Sequence, residues 1–269
     1  MLIESKQNKQ YKEALALKTS RGRKKANSYY IEGIKLVEEA LRNPDDIIKV
    51  FYQTGFGMKS EERALLEKLE DNKIIRFELP KPLFKEISDT EQTQGILAVL
   101  NQKWSCLDDF MKLDREKSTL LLLDRVQDPG NIGTIIRTAE ALKVDGIIFR
   151  IGSADPFNPK VVRSTMGSIL RMPLFKSEDI FVDLENIKKS GYRVFATNLE
   201  ASEYLHETEF DSKNILIIGN EANGVDDELF NLSDKLLKIK MLGAAESLNA
   251  AIATGIILHE IQTKVYLPN

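Results

Sequence analysis

Three short stretches in the second half of the chain set amide, carboxylate, hydroxyl and guanidinium groups just after apolar runs. The first is Asp128-Pro129-Gly130-Asn131-Ile132-Gly133-Thr134-Ile135-Ile136-Arg137. Arginine suits the forked grip of a phosphate. It is a poor proton acceptor, because the guanidinium holds its charge. Arg137 therefore suggests anion binding or the stabilisation of a developing negative charge. The second stretch is Ile217-Ile218-Gly219-Asn220-Glu221-Ala222-Asn223-Gly224. A glycine directly after a buried strand lets a ligand approach the backbone. Glu221 then falls at the carboxyl end of that strand, where open α/β sheets build ligand sites. The third stretch is Ile239-Lys240-Met241, with Glu246-Ser247-Leu248-Asn249 soon after. Each stretch also has a plainer reading. Asn131 and Ser247 could be helix caps, Arg137 an exposed helical charge, and Glu221 an anion favoured by a helix N-terminus.

The surrounding elements must place these groups at one end of a sheet. From Thr119 onward the pattern alternates strictly between strands and helices. Strands are expected at 119–124, 146–151, 192–198, 214–219 and 236–241, and helices at 131–143, 159–170, 179–190, 226–232 and 247–265. Near-continuous apolar strands such as Leu120 to Leu123 and Ile215 to Ile218 indicate a parallel sheet covered on both faces. Either Asn131 or Gly133 would open the helix that carries Arg137. Residues 28–100 form a smaller α/β/α unit in a different style. A helix is read over Tyr30 to Leu41, from the spacing of Ile34, Val37 and Leu41, and Asn43-Pro44 stops it. Strands follow at Ile47 to Tyr52, Lys73 to Glu78 and Gly95 to Leu100. Helices follow from Ser60, read as the cap, to Asp71 and from Lys81 to Ser88. Residues 101–117 read as a linker with a helical turn.

The chain has 269 residues, 42% of them apolar, enough for one large or two ordinary domains. No apolar run reaches the roughly 18 residues of a membrane span, and the polar, lysine-rich beginning is unlike a secretory signal. One cysteine, Cys106, and two histidines, His206 and His259, give no disulfide framework and no zinc-ligand pattern. These features point to a reducing cytoplasm. The net charge is −3, yet residues 1–27 hold eight Lys/Arg against Glu4 and Glu13. Such asymmetry suits a polyanionic partner, although a solvated basic helix would look the same.

Taken in order, the three stretches resemble the SpoU/TrmH family of RNA ribose methyltransferases, within the SPOUT superfamily. Arg163-Ser164-Thr165-Met166-Gly167-Ser168 matches the helix between the first two motifs. Asn27 to Leu41 and Gln94-Gly95-Ile96 resemble the small RNA-binding domain found ahead of the catalytic one in many members. The family pattern has proline where this chain has Lys240, and commonly valine where it has Ala250. The turn after the first strand of this half lacks the Rossmann G-x-G, since two residues separate Gly130 from Gly133.

The resemblance implies an α/β fold whose C-terminal parallel-sheet domain, residues 118–269, is tied in a trefoil knot. It implies a substrate-binding domain at 1–104 with a basic N-terminal segment, and a linker at 105–117. It further implies methyl transfer from S-adenosylmethionine to a ribose 2′-hydroxyl, with no metal and no membrane, by a homodimer joined through the C-terminal domain. The catalytic set would be Arg137, Asn131, Glu221, Ser247 and Asn249. The cofactor would lie against Thr197, Asn198, Leu199, Gly219, Asn220, Glu221, Gly224, Ile239, Met241, Ser247 and Leu248. Ribosomal RNA is the expected substrate and transfer RNA the alternative. A base methyltransferase of the same superfamily and a non-catalytic RNA-binding protein are further readings. A set comprising Asn131, Arg137, Glu221 and Asn249 argues against the last.

Overall fold

The computed structural model describes residues 1–198 and 201–267. Leu199, an expected cofactor residue, lies outside the described residues. The chain divides into two compact units, one of residues 1–102 with 155–170, the other of 103–154 with 171 onward.

The first unit opens with α1 (Lys9–Ala16) and α2 (Ser20–Ala26), followed by β1 (Ser28–Glu32), α3 (Ile34–Ala40), β2 (Ile47–Gln53), α4 (Ser60–Asp71), β3 (Arg76–Leu79), α5 (Lys81–Ile87) and β4 (Ile96–Asn101). Its sheet runs β1-β4-β2-β3, with only β2 and β3 parallel. The helical spacing over Tyr30 to Leu41 misleads at its start. Tyr29, Tyr30 and Ile31 are buried in a strand paired with β4, and the helix begins only after Gly33, whose φ of 109° suits glycine. The cap position of α4 falls on Lys59, one residue before Ser60. Tyr11, Ala14 and Leu17 of the basic N-terminal segment join Phe51, Phe84 and Leu97 in one apolar core. That segment is therefore structural, not a loose arm.

The second unit contains α6 (Leu107–Met111), β5 (Ser118–Leu123), α7 (Pro129–Ala141) and β6 (Gly146–Arg150). The chain then contributes α8 (Pro159–Ser164) and a 3-10 turn at Ser168–Leu170 to the first unit, where a single helix over 159–170 was expected. Residue Met166, at φ 50°, and Gly167, at φ 97°, break that helix. The second unit resumes with β7 (Leu174–Ser177), α9 (Ile180–Lys189), β8 (Arg193–Thr197), β9 (Glu203–Tyr204), β10 (Lys213–Ile218), α10 (Asp227–Leu232), β11 (Lys235–Lys238) and α11 (Ala250–Tyr266). All seven strands are parallel, in the order β7-β6-β5-β10-β8-β11-β9. The short strands β7 and β9 escape the sequence pattern. One sheet face packs Leu120, Leu122, Ile215 and Ile217 against α9 and α10. Residues of the other parity, such as Leu121, Leu123 and Leu216, are equally buried. On that side α11 is tied to β5 by a 3.0 Å bond from Thr119 Oγ1 to Gln262 Oε1, and α7 packs against α11. No described helix is long and apolar enough to cross a membrane.

Candidate active site

The carboxyl ends of β8, β10 and β11 enclose a cleft of about 600 Å³. Thr197 and Asn198 follow from β8, and Gly219, Asn220, Glu221 and Gly224 follow β10. Ile239 and Met241 leave β11, while Ser247, Leu248 and Asn249 lead into α11. Every described residue expected to contact the cofactor lines this cleft. Phe230, Leu237 and Ile257 add apolar wall.

The wall made by 219–226 is closed by its own bonds. The Asn220 and Gly224 backbones exchange two 2.9 Å hydrogen bonds, and Gly224 takes φ 69°. Asn220 Oδ1 accepts from the Ala222 and Asn223 amides, and its Nδ2 donates to the Arg125 carbonyl at 2.8 Å. A Cβ on Gly219 would lie 2.1 Å from the Gly224 carbonyl carbon, so the chain's own turn already requires a glycine there.

Beneath this wall sits a charge cluster centred on one buried carboxylate. Asp124 is fully buried and accepts from Arg150 Nη1 at 2.7 Å, from Arg125 Nε at 3.0 Å and from the Asp226 amide at 2.8 Å. Both arginines also reach Asp226. Burial raises the energy of the Asp226 carboxylate, but the Glu228 amide and then Arg150 outweigh it and hold its pKa below the usual range. Asp226 also caps α10.

Three loops are joined by a chain of amides and a carboxylate. Asn249 Nδ2 donates to Asn131 Oδ1 at 2.8 Å, and Asn131 Nδ2 donates to Glu221 Oε1 at 2.9 Å. Glu221 also accepts from the Gln127 and Asp128 amides. Partial burial disfavours its charge, yet the bonds from Asn131, Gln127 and Asp128 prevail, so its pKa is lowered. Asn131 does not open its helix. Asp128 caps α7 by accepting from the Asn131 amide, Pro129 takes the first helical position, and the Asn131 side chain is left to face Glu221. Likewise Asn249, not Ser247, caps α11, accepting from the Ala251 and Ile252 amides. Ser247 is exposed on the cleft rim.

Arg137 stands apart. It is exposed on α7, is not among the cleft-lining residues, and its guanidinium makes no hydrogen bond or ion pair among the described residues. The opposite wall, 241–248, is equally unbound: no hydrogen bond among the described residues involves it. Its backbone donors and acceptors are therefore left for solvent or a ligand. Lys240, at the family's proline position, is exposed, with its ammonium 5.5 Å from the Tyr204 ring centroid; Lys238 shares that ring at 5.0 Å.

Residues 118–259 match the model of the SpoU rRNA Methylase family, and residues 8–98 match an MRM3-like substrate binding domain. The chain belongs to the SpoU rRNA methylase family. It is 34% identical to the 23S rRNA (guanosine(2553)-2′-O)-methyltransferase RlmP of Bacillus subtilis, over 97% of this chain and 98% of that protein. Its fold superposes with TM-score 0.87 on an AdoMet-bound rRNA methyltransferase from Sinorhizobium meliloti, 32% identical and covering 98% of both chains. The SpoU methyltransferase AviRb from Streptomyces viridochromogenes, solved with AdoMet, follows at TM-score 0.83 and 27% identity, covering 96% of this chain and 98% of that one.

As a SpoU methylase, the chain transfers methyl from S-adenosylmethionine to a ribose 2′-hydroxyl of RNA. The cleft suits that cofactor: apolar side chains can face an adenine ring, and unpaired backbone groups at 241–248 can read its edge. Sequence reasoning missed the Asp124–Arg125–Arg150–Asp226 cluster. A signal for it existed, because Asp124 directly follows β5 and Arg150 ends β6, strands in register with Leu123 opposite Phe149. Opposite charges at two adjacent strand ends invite pairing.

Proposed function

We infer that the Asn249–Asn131–Glu221 chain forms the acceptor side of a 2′-O-methyltransferase site acting on ribosomal RNA. The observation that carries this reading is that one hydrogen-bonded path joins all three motif loops at the cleft rim. S-adenosylmethionine supplies an already reactive methyl sulfonium when bound. The protein's work is then to position and to desolvate. Glu221 is a positioning residue: its charge orients the Asn131 amide, which in turn fixes Asn249. Thr197, Asn198, Leu199 and the 239–248 wall hold the cofactor. Arg137 stabilises the alkoxide that develops on the 2′-oxygen and grips a neighbouring phosphate; Ser247 helps to seat the ribose. The 2′-hydroxyl requirement rejects DNA.

Arg137 lies outside the cleft lining, which supports a homodimer in which a second copy completes the site. Ile252 and Ile256, one turn apart on α11, are 53% and 41% exposed beside α7 and form an apolar face for that contact. The knot implied by family resemblance would involve the 239–267 segment. Residues 1–104 would carry RNA recognition, 105–117 would connect, and 118–269 would catalyse, in the cytoplasm. The ribosomal target is favoured by the 23S-specific relative. Purified chain, labelled S-adenosylmethionine and ribosomal RNA from a deletion strain provide the test. The expected outcome is label at one ribose, mapped as 2′-O-methyl. Label only on transfer RNA or on a base would overturn the substrate or the acceptor.

A further inference from the structure

The N-terminal cations are not equivalent. Lys6 pairs with Glu86, Lys9 with Glu13, and Lys18 with Asp89, while Lys12 bonds Gln7. Arg23 is buried at 2% exposure. Its Nε and Nη2 donate to Asp155 at 2.9 and 2.7 Å, and its Nη1 donates to the Leu17 and Lys18 carbonyls. Arg21, Lys24 and Lys25 differ: all three are exposed, with no ion pair among the described residues. Their spacing of three and four residues puts them on one face of α2, opposite the buried Arg23.

The Arg23–Asp155 pair links α2 to the segment that carries α8, and both helices pack against β1. Tyr29 and Phe157 pack in the same place with ring centroids 4.9 Å apart and planes tilted by 44°. Lys160 of α8 is also exposed and has no acidic partner among the described residues. No Asp or Glu occurs anywhere in residues 14–31 or 156–170. In a chain of net charge −3, two acid-free segments are thus brought together, and their free cations are left in water.

We propose that the outer face of α2, with Lys160 of α8, is a phosphate-binding surface for the RNA substrate, held in place by the Arg23–Asp155 ion pair. The inference rests on RNA being the substrate. An exposed, uncompensated cationic face gains most from a polyanion that releases condensed counterions on binding. A surface of this kind contacts the backbone and sets register; it does not choose the nucleotide. It also explains why Arg23 is buried while its neighbours are not. The inward residue anchors the platform, and the outward ones do the binding.

The test measures fluorescence anisotropy of a labelled RNA hairpin with full-length chain, between about 50 and 200 mM salt. The triple variant R21A/K24A/K25A should flatten the slope of log affinity against log salt by about 2 to 3, and weaken binding by roughly tenfold or more. Adding Lys160→Ala should flatten it by about one more. The loss should be the same for a scrambled hairpin, and Lys24→Arg with Lys25→Arg should restore binding. A control triple elsewhere in the unit, K35A/R63A/K81A, should change little. An unchanged slope, or an equal loss in the control triple, overturns the proposal. So does intact RNA binding alongside lost binding of polyglutamate, which would mark a surface for acidic protein. Cofactor binding by calorimetry should stay within about twofold in every variant. A wild-type chain that binds cofactor but no RNA would instead overturn the substrate reading beneath the proposal.

Discussion

The two walls of the cleft are built in opposite ways. The 219–226 wall is tied by paired backbone bonds, by the Asn220 side chain, and by a four-charge cluster around the buried Asp124. The 239–249 wall has its first internal ties only at Asn249, and residues 242–247 are exposed. The difference separates two tasks. The closed wall fixes a carboxylate and two amides before any ligand arrives, which is preorganisation. The open wall keeps backbone groups unpaired, so that a ligand can take them. Arg137 belongs with the open side in this respect, since no described residue holds its guanidinium.

The sharpest test of that division is Arg137→Ala. Methyl transfer should fall on the order of a thousandfold, the scale of one lost electrostatic stabiliser, while cofactor affinity by calorimetry stays within about twofold. Transfer near the wild-type rate would remove Arg137 from the mechanism. Next comes the cluster under the closed wall. Asp124→Ala removes the buried carboxylate that half-buried Arg150 and Arg125 share, and should cost about 3 kcal/mol in urea unfolding. A much smaller loss would show that the loop holds itself.

A pair of glycine substitutions compares the walls directly. Gly219→Ala forces a methyl into the Gly224–Val225 backbone and should weaken cofactor binding by roughly tenfold or more, since overpacking costs about 1–3 kcal/mol. Gly243→Ala meets nothing within 4 Å and should move stability by no more than about 0.5 kcal/mol. Equal effects would erase the distinction. The smallest expected effect is acid sensitivity. Glu221 has a folded pKa below its unfolded value, so its contribution is present above the ordinary carboxylate range and is lost only as pH falls through the lowered value. Cofactor affinity should therefore hold steady down through the ordinary glutamate pKa, about 4.3, and fall below it. Glu221→Gln should remove that dependence; a fall beginning near pH 6 would point to another group.

The N-terminal segment alters one experiment. Removing residues 1–27 would take Tyr11, Ala14 and Leu17 from the first unit's core, so a truncation would report unfolding. Surface substitutions on α2 are the cleaner probe.

The sequence alone determined the longer strands and helices of the second unit, though not the short β7 and β9, because continuous apolar strands and 3.6-residue spacing are local signals. It also placed the residues that line the cleft, because motifs sit at strand ends and strand ends meet in a parallel sheet. Local signals failed where tertiary contacts compete. The residues before Gly33 became a strand because β4 offers them a ladder. Asp128 and Asn249 took the caps that Asn131 and Ser247 were expected to fill. Asn131 was thereby freed to bind Glu221, 90 residues away in the chain. Only the fold decided which charges are buried together and which cations remain free. Burial and pairing depend on distances between segments such as Arg23 and Asp155, 132 residues apart, and no local pattern encodes them.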